Sequence, residues 1–227
     1  MIPWVHLDKA MIPGGAELRL MRRGQEFSIR LGQHELMNSR LSGSEEALAT
    51  LTAARLQGRT GPRVLIGGLG MGFTLRAALD VFDQSSDIVV VELAQAVVDW
   101  ARGPMAEIFG DCLADRRVSI RVEDVRRTIA AKPSAYDAIL LDVDNGPEGL
   151  TQSANDRLYD WHGLGQAKAA LKPGGVLAVW SSAPDEKFSK RLEKAGFAVE
   201  EARVKAHAGR RGARHMIWLA IKPEVRR

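Results

Sequence analysis

Asp142 stands directly after the apolar run Ala138-Ile139-Leu140-Leu141. A carboxylate in that position can anchor a cation or take a proton from an attacking nucleophile. The competing reading is that Asp142-Val143-Asp144-Asn145-Gly146-Pro147 is only a turn, which Asn145-Gly146-Pro147 encourages. A turn accounts for Asn145 and Gly146 without needing Asp142, so the expectation is a chemical role. Glu92 closes a second apolar run, Ile88 to Val91, and lies twenty residues past Gly72. Its carboxylate can accept hydrogen bonds from both hydroxyls of a ribose. Asp124 follows the run Val118–Val122 and Glu123; it can accept from an exocyclic amine or cap the helix that begins at Val125, and the two roles are compatible.

These acids have to be placed by what precedes them. The stretch RVLIGGLGMGFTLRAAL, Arg63 to Leu79, reads as a buried strand, a turn containing Gly67, Gly68, Gly70 and Gly72, and an amphipathic helix. Glycines let a ligand approach the backbone without Cβ atoms in the way. The dinucleotide fingerprint G-x-G-x-x-G fails here, because its third glycine would fall on Phe73 or Leu75. The shorter turn of S-adenosylmethionine-type folds fits better, since it seats an amino acid portion and no pyrophosphate.

Apolar runs and helical patterns alternate along the chain from Arg63 to Trp180, with helices expected over 94–101, 125–131 and 154–171. That alternation predicts an α/β fold, a mostly parallel doubly wound sheet with helices on both faces. Ligand sites in such sheets lie beyond the carboxyl ends of the strands. Those ends carry Gly67 to Gly72, Glu92, Glu123 with Asp124, Asp142 with Asp144, and Ser181 with Ser182. Ahead of this, Leu18 and Leu20, then Phe27, Ile29 and Leu31, alternate with polar residues around Arg23-Gly24 and predict a β-hairpin. Ser42 and Glu45 have the spacing of a capping box for a helix reaching about Leu56. The expected division is 1–56, hairpin and linking helix, and 57–227, a nucleoside-binding catalytic domain. Two further strands, 197–204 and 215–221, close the chain.

Composition narrows the classes. Hydrophobic residues make up 45% and charged residues 26% of 227, which is ordinary for a globular protein. No apolar stretch approaches a membrane span, and the N-terminus lacks a signal-peptide layout, so a cytoplasmic protein without membrane partners is expected. Cys112 is the single cysteine and is expected to be a packed thiol; no Cys/His cluster has zinc spacing, so no metal is expected. From Ala198 to Arg227 eight Lys or Arg face three Glu, giving +5 against −1 for the remainder of the +4 chain. A solvated hairpin tip is the expected use of that excess, with no specific nucleic-acid binding.

The run VLIGGLGMG, Glu92, the Glu123-Asp124 pair, the strand YDAILLD with its acidic Gly-Pro loop, and Tyr159 together resemble spermidine synthase and its relatives, the polyamine aminopropyltransferases. The resemblance covers about 27–221. It implies a Rossmann-like, seven-stranded sheet of the class I methyltransferase type, with a small N-terminal hairpin region. It also implies a donor, S-adenosylmethionine or its decarboxylated form, and a small amine or polar acceptor. By resemblance Glu92 binds ribose, Asp124 lies by the adenine, Asp142 helps deprotonate the amine, Asp144 is a second acid, and Tyr159 joins the site. Two departures stand out. Gly70 falls where the family carries an aspartate that holds the aminopropyl amine, and Ser44 falls near an expected tyrosine. A methyltransferase acting on a small polar substrate is therefore the alternative, and a non-catalytic nucleoside-binding protein the third reading. The assembly is left open, a homodimer being the one to test.

Overall fold

The computed structural model describes residues 2–13, 15–143, 147, 156–206 and 213–224. Asp144 and Glu148, expected on the acidic loop, lie outside the described residues, as do 207–212 of the basic tip.

The N-terminal piece is larger than a hairpin. Strands β1 (Val5–Met11), β2 (Glu17–Arg23), β3 (Glu26–Leu31) and β4 (His34–Asn38) form a four-stranded antiparallel sheet in sequence order. The expected hairpin is its centre: Leu20 pairs with Ile29 and Arg23 with Glu26 across Gly24. Its inner side chains, Leu18, Leu20, Phe27 and Ile29, are buried in a cluster shared with the helices and strands that follow. Strand alternation missed β1 because almost every residue in it is exposed.

The remainder is α1 (Gly43–Arg55), β5 (Arg63–Gly67), α2 (Phe73–Val81), β6 (Asp87–Glu92), α3 (Gln95–Arg102), α4 (Ala106–Phe109), β7 (Val118–Val122), α5 (Val125–Ala130), β8 (Tyr136–Leu141), α6 (Asp156–Tyr159), α7 (Trp161–Ala170), β9 (Leu171–Ser181), α8 (Glu186–Lys194), β10 (Ala198–Lys205) and β11 (Arg214–Ile221). The seven strands β5 to β11 form one sheet in the order β10-β11-β9-β8-β5-β6-β7. β9, β8, β5, β6 and β7 run parallel, while β11 is antiparallel to β9 and β10 to β11. The predicted helix over 154–171 is two elements among the described residues. The chain breaks at Asp160, whose side chain caps α7 by accepting from the Gly163 N–H at 2.7 Å.

Period two along each strand sorts the sheet into two faces. Ile66, Val90, Leu140, Ala178 and Trp180 join the cluster with α1, α2, α3 and the N-terminal sheet. Leu65, Val91, Ile139, Leu141 and Val179 join the cluster with α5, α7 and α8. Burying each such side chain is worth about 1.5–3 kcal/mol, so both faces are strongly specified. No helix among the described residues is long and apolar enough to cross a membrane.

Candidate active site

The glycine turn leaves β5 beneath Asp142. Gly68 has φ +93°, and a Cβ there would lie on the Asp142 carbonyl oxygen. Gly72 has φ +75°, and a Cβ would come 2.5 Å from the Phe109 ring. Both positions need glycine for conformation and for space. Backbone bonds lock the turn to its neighbours: the Gly68 N–H donates to the Val91 carbonyl at 2.8 Å and the Asp142 N–H to the Gly67 carbonyl at 3.0 Å. The chain ends of β5, β6 and β8 are thereby held together.

Glu92 completes that lock. Its two carboxylate oxygens accept from the Leu69 and Ala94 N–H groups, each at 2.9 Å. Burial pushes its pKa up, with the N–H bonds offsetting part of the rise. Glu123 donates its N–H to the Glu92 carbonyl at 3.0 Å. Asp124 caps α5, accepting from the Arg126 N–H at 2.9 Å, and also pairs with the Arg126 guanidinium, which holds its carboxyl below the usual range. The capping role expected for Asp124 is therefore present, and its carboxylate is already engaged.

Asp142 is set differently. One carboxylate oxygen accepts from the Thr74 hydroxyl at 2.7 Å. Among the described residues no Lys or Arg is paired with it. Burial first, and then the negative charge of Glu45, push its pKa up to about 7, against the pull of the Thr74 bond. A cleft of about 70 Å³ opens here, lined by Asp142, Glu45, Trp180, Gly70 and Met71, with Met37 and Asn38 of β4 among its walls. Among the described residues the Trp180 indole N–H is buried without a partner, an arrangement costing about 1–3 kcal/mol unless something accepts from it. A larger groove of about 530 Å³, lined by Thr50, Arg76 and Cys112, contains none of the expected site residues. Cys112 is buried, as expected, and burial pushes its thiol up to about 11.

Two expectations change. Tyr159 does not line the cleft: it is buried on the opposite face of the sheet, edge-on to Phe188 with ring centroids 5.6 Å apart. Asp142 continues the parity of Leu140 and so belongs to the α1 face, which separates the two. The capping box of Ser42 and Glu45 is not formed either. The Ser42 side chain makes no capping bond, and the Glu45 carboxylate accepts from the Ser44 hydroxyl at 2.6 Å while lining the cleft. Glu45 and Trp180 are thus cleft residues that sequence reasoning did not find. Glu45 was hidden by a local pattern with a simpler meaning, and Trp180 by its place in an apolar strand.

The spermine/spermidine synthase domain family matches residues 45–196. The chain is 30% identical over 123 residues to a polyamine aminopropyltransferase of Prochlorococcus marinus (strain MIT 9215), covering 54% of this chain and 41% of that protein. It is 28% identical over 145 residues to one of Mycobacterium tuberculosis (strain H37Rv), covering 60% of this chain and 27% of that protein. The matched region thus spans less than half the length of either relative. A crystal structure of spermidine synthase in complex with the transition-state analogue AdoDATO superposes with a TM-score of 0.77 at 16% identity, over 97% of this chain and 74% of that one. Spermidine synthase from Thermotoga maritima gives 0.74 at 17% identity, over 97% and 73%. At that identity the superpositions establish the fold, while the domain match covers well over half of the sequence: the chain belongs to the spermine/spermidine synthase family.

Proposed function

We propose that this protein transfers an aminopropyl or related group from a sulfonium nucleoside to a small amine. The observation that carries the reading is Asp142: a carboxyl held by Thr74, unpaired with any cation among the described residues, at the mouth of the glycine turn and lining a cleft. The polyamine aminopropyltransferases to which the chain is similar support the donor and acceptor classes.

The glycine turn gives a nucleoside close access to the backbone, and Glu92 supplies the carboxylate for its ribose while holding the turn in shape. Glu123 and Asp124 border the same end of the sheet, where the base would lie. The transfer is an in-line displacement. The amine nitrogen forms a bond to the carbon next to sulfur, that carbon–sulfur bond breaks, and its electron pair stays on sulfur as a neutral thioether. The nitrogen sheds one proton, which Asp142 accepts. An amine with a pKa near that of lysine, ~10.4, arrives protonated, so Asp142 first anchors a cation and then serves as base. Asp144 is the next acid in the chain, and we keep it as a second contributor.

Intact S-adenosylmethionine with methyl transfer is the second reading. It is favoured by the turn 67–72, which contains no carboxylate to meet an aminopropyl ammonium, and by the unpartnered Trp180 N–H, which suits an acceptor substrate with a hydrogen-bonding oxygen. Calorimetric binding of S-adenosylmethionine, decarboxylated S-adenosylmethionine, methylthioadenosine and NAD, followed by turnover with a panel of amines, separates the readings. Preference for the decarboxylated donor and transfer to an amine is the expected result. Preference for intact S-adenosylmethionine with methylated product selects the second reading, and binding of NAD alone defeats both.

A further inference from the structure

Glu45 arrives at the cleft from the first turn of α1, far from Asp142 in sequence, and its side chain is fixed from behind. The Ser44 hydroxyl donates its one proton to Glu45 at 2.6 Å. It must therefore accept from His215 Nδ1, 2.8 Å away, which assigns the ring proton to Nδ1. The His215 ring is in turn held edge-on to Trp180, centroids 4.8 Å apart. So β11, β9 and α1 together fix the direction of one carboxylate. From α2 the Thr74 hydroxyl donates to an Asp142 oxygen at 2.7 Å and lies 3.3 Å from the main-chain carbonyl of Glu45.

We propose that Glu45 is the second carboxyl of the amine site, seating the substrate ammonium between itself and Asp142, with Ser44 and His215 as its positioning residues. The inference rests on the reading of Asp142 as the amine's anchor and base. Two carboxyls lining one small cleft repel each other when both are ionised, and a cation between them relieves the repulsion. The groups that face the pair are Thr74 from α2, Ser44 and Glu46 from α1, Trp180 from β9, Asn38 from β4 and His215 from β11, so no Lys or Arg among the described residues supplies that cation. The Trp180 side chain walls the same cleft, and its indole N–H is buried without a partner among the described residues. A cap role does not explain Glu45, since Ser42 offers its carbonyl to the Glu46 N–H and Glu45 turns away to Ser44.

The test uses binding and titration, so it does not depend on turnover. Putrescine is titrated into wild type, Glu45→Gln and Ser44→Ala, each saturated with methylthioadenosine, while the carboxyl carbons are followed by ¹³C NMR against pH. Glu45→Gln should weaken putrescine ~10-fold or more with methylthioadenosine affinity unchanged. It should also lower the Asp142 midpoint by roughly a unit, because a neighbouring negative charge is gone. Ser44→Ala, which keeps the carboxylate and frees its orientation, should give a smaller loss of putrescine affinity without the full midpoint shift. Unchanged putrescine affinity in Glu45→Gln overturns the seat. Should that variant fail to fold, unchanged affinity in Ser44→Ala and in His215→Gln overturns it instead. Wild type that binds putrescine through Glu45 and yet transfers nothing to it refutes the transferase reading and leaves the seat standing. Wild type that binds no amine refutes both.

Discussion

β8 carries an aspartate at each end, and the two have opposite surroundings. Asp137, at the start of the strand, is buried and accepts from Arg59 at 2.7 Å, from Lys172 at 2.5 Å and from the Arg63 N–H at 2.8 Å. Burial works to raise its pKa, but Lys172, the Arg63 N–H and Arg59 together outweigh it and hold the carboxyl low. Asp142, just past the other end, has one hydroxyl donor and an acidic neighbour, and is pushed up to about 7. One strand thus shows two uses of an acid, with Asp137 buried and Asp142 half-buried. Where cations and N–H groups satisfy it, it ties loops together. Where they are withheld, it keeps a proton within reach of neutral pH and leaves room for a cationic ligand.

The largest effect expected from breaking this contrast is on turnover. Asp142→Asn should lower turnover with a confirmed amine acceptor ~10²-fold or more, the lower end expected for loss of a general base, with methylthioadenosine binding retained. Near wild-type turnover per folded molecule would show that proton removal lies elsewhere, with Asp144 the next residue to vary.

Glu92 lies at the same end as Asp142 but has both oxygens bonded to N–H groups, so it tests whether a satisfied carboxylate there still binds ligand. Glu92→Ala should cost methylthioadenosine about 1.5–3 kcal/mol of binding by calorimetry, combining a lost ribose acceptor with a loosened turn. Unchanged affinity in a folded variant would remove the ribose assignment.

At the structural end, Asp137→Asn should leave turnover per folded molecule intact and lower stability by about 2 kcal/mol in urea titration. That is less than the loss for a fully buried pair, because Arg59 and Lys172 keep partial access to water. A large loss of turnover without a loss of stability would erase the distinction between the two ends.

The smallest effect is in pH dependence, and the two acids contribute with opposite signs. The folded pKa of Asp142 lies above its unfolded value, so the stability it contributes is complete below about pH 4 and is lost as pH rises through about 7. Asp137 has a lowered pKa, so its contribution is present above about pH 4 and is lost as pH falls through its folded value. Relative to wild type, Asp142→Asn should gain stability between pH 5 and pH 8, and Asp137→Asn should show its deficit mainly above pH 4. Urea titrations at several pH values check both. The same Asp142 titration predicts that kcat/KM for an amine rises with pH through about 7 and levels off above it.

Much of this was legible in the residues themselves. Short apolar runs separated by helical patterns dictate a parallel sheet, and five of its strands follow those runs closely. The failure of G-x-G-x-x-G at Phe73 or Leu75 separates this turn from a dinucleotide loop. Strand ends place Glu92 and Asp142 beside the glycine turn, because parallel strands bring their carboxyl ends to one edge. What the chain order does not contain is which side chains cross the gap between elements. Ser42 to Glu45 has the local form of a capping box, and only the docking of α1 against α2 and β9 turns Glu45 to the cleft. Tyr159 follows Asp142 in sequence and yet is assigned by strand parity and the wrap of the chain to the other face of the sheet. Asp137 and Asp142 are the same residue type at the two ends of one apolar strand, and sequence alone gives them equal standing. Their difference is made by Arg59, Lys172, Thr74 and Glu45, which come from four other segments of the chain. Electrostatic environment is a sum over neighbours in space, so it exists only once the fold has chosen them.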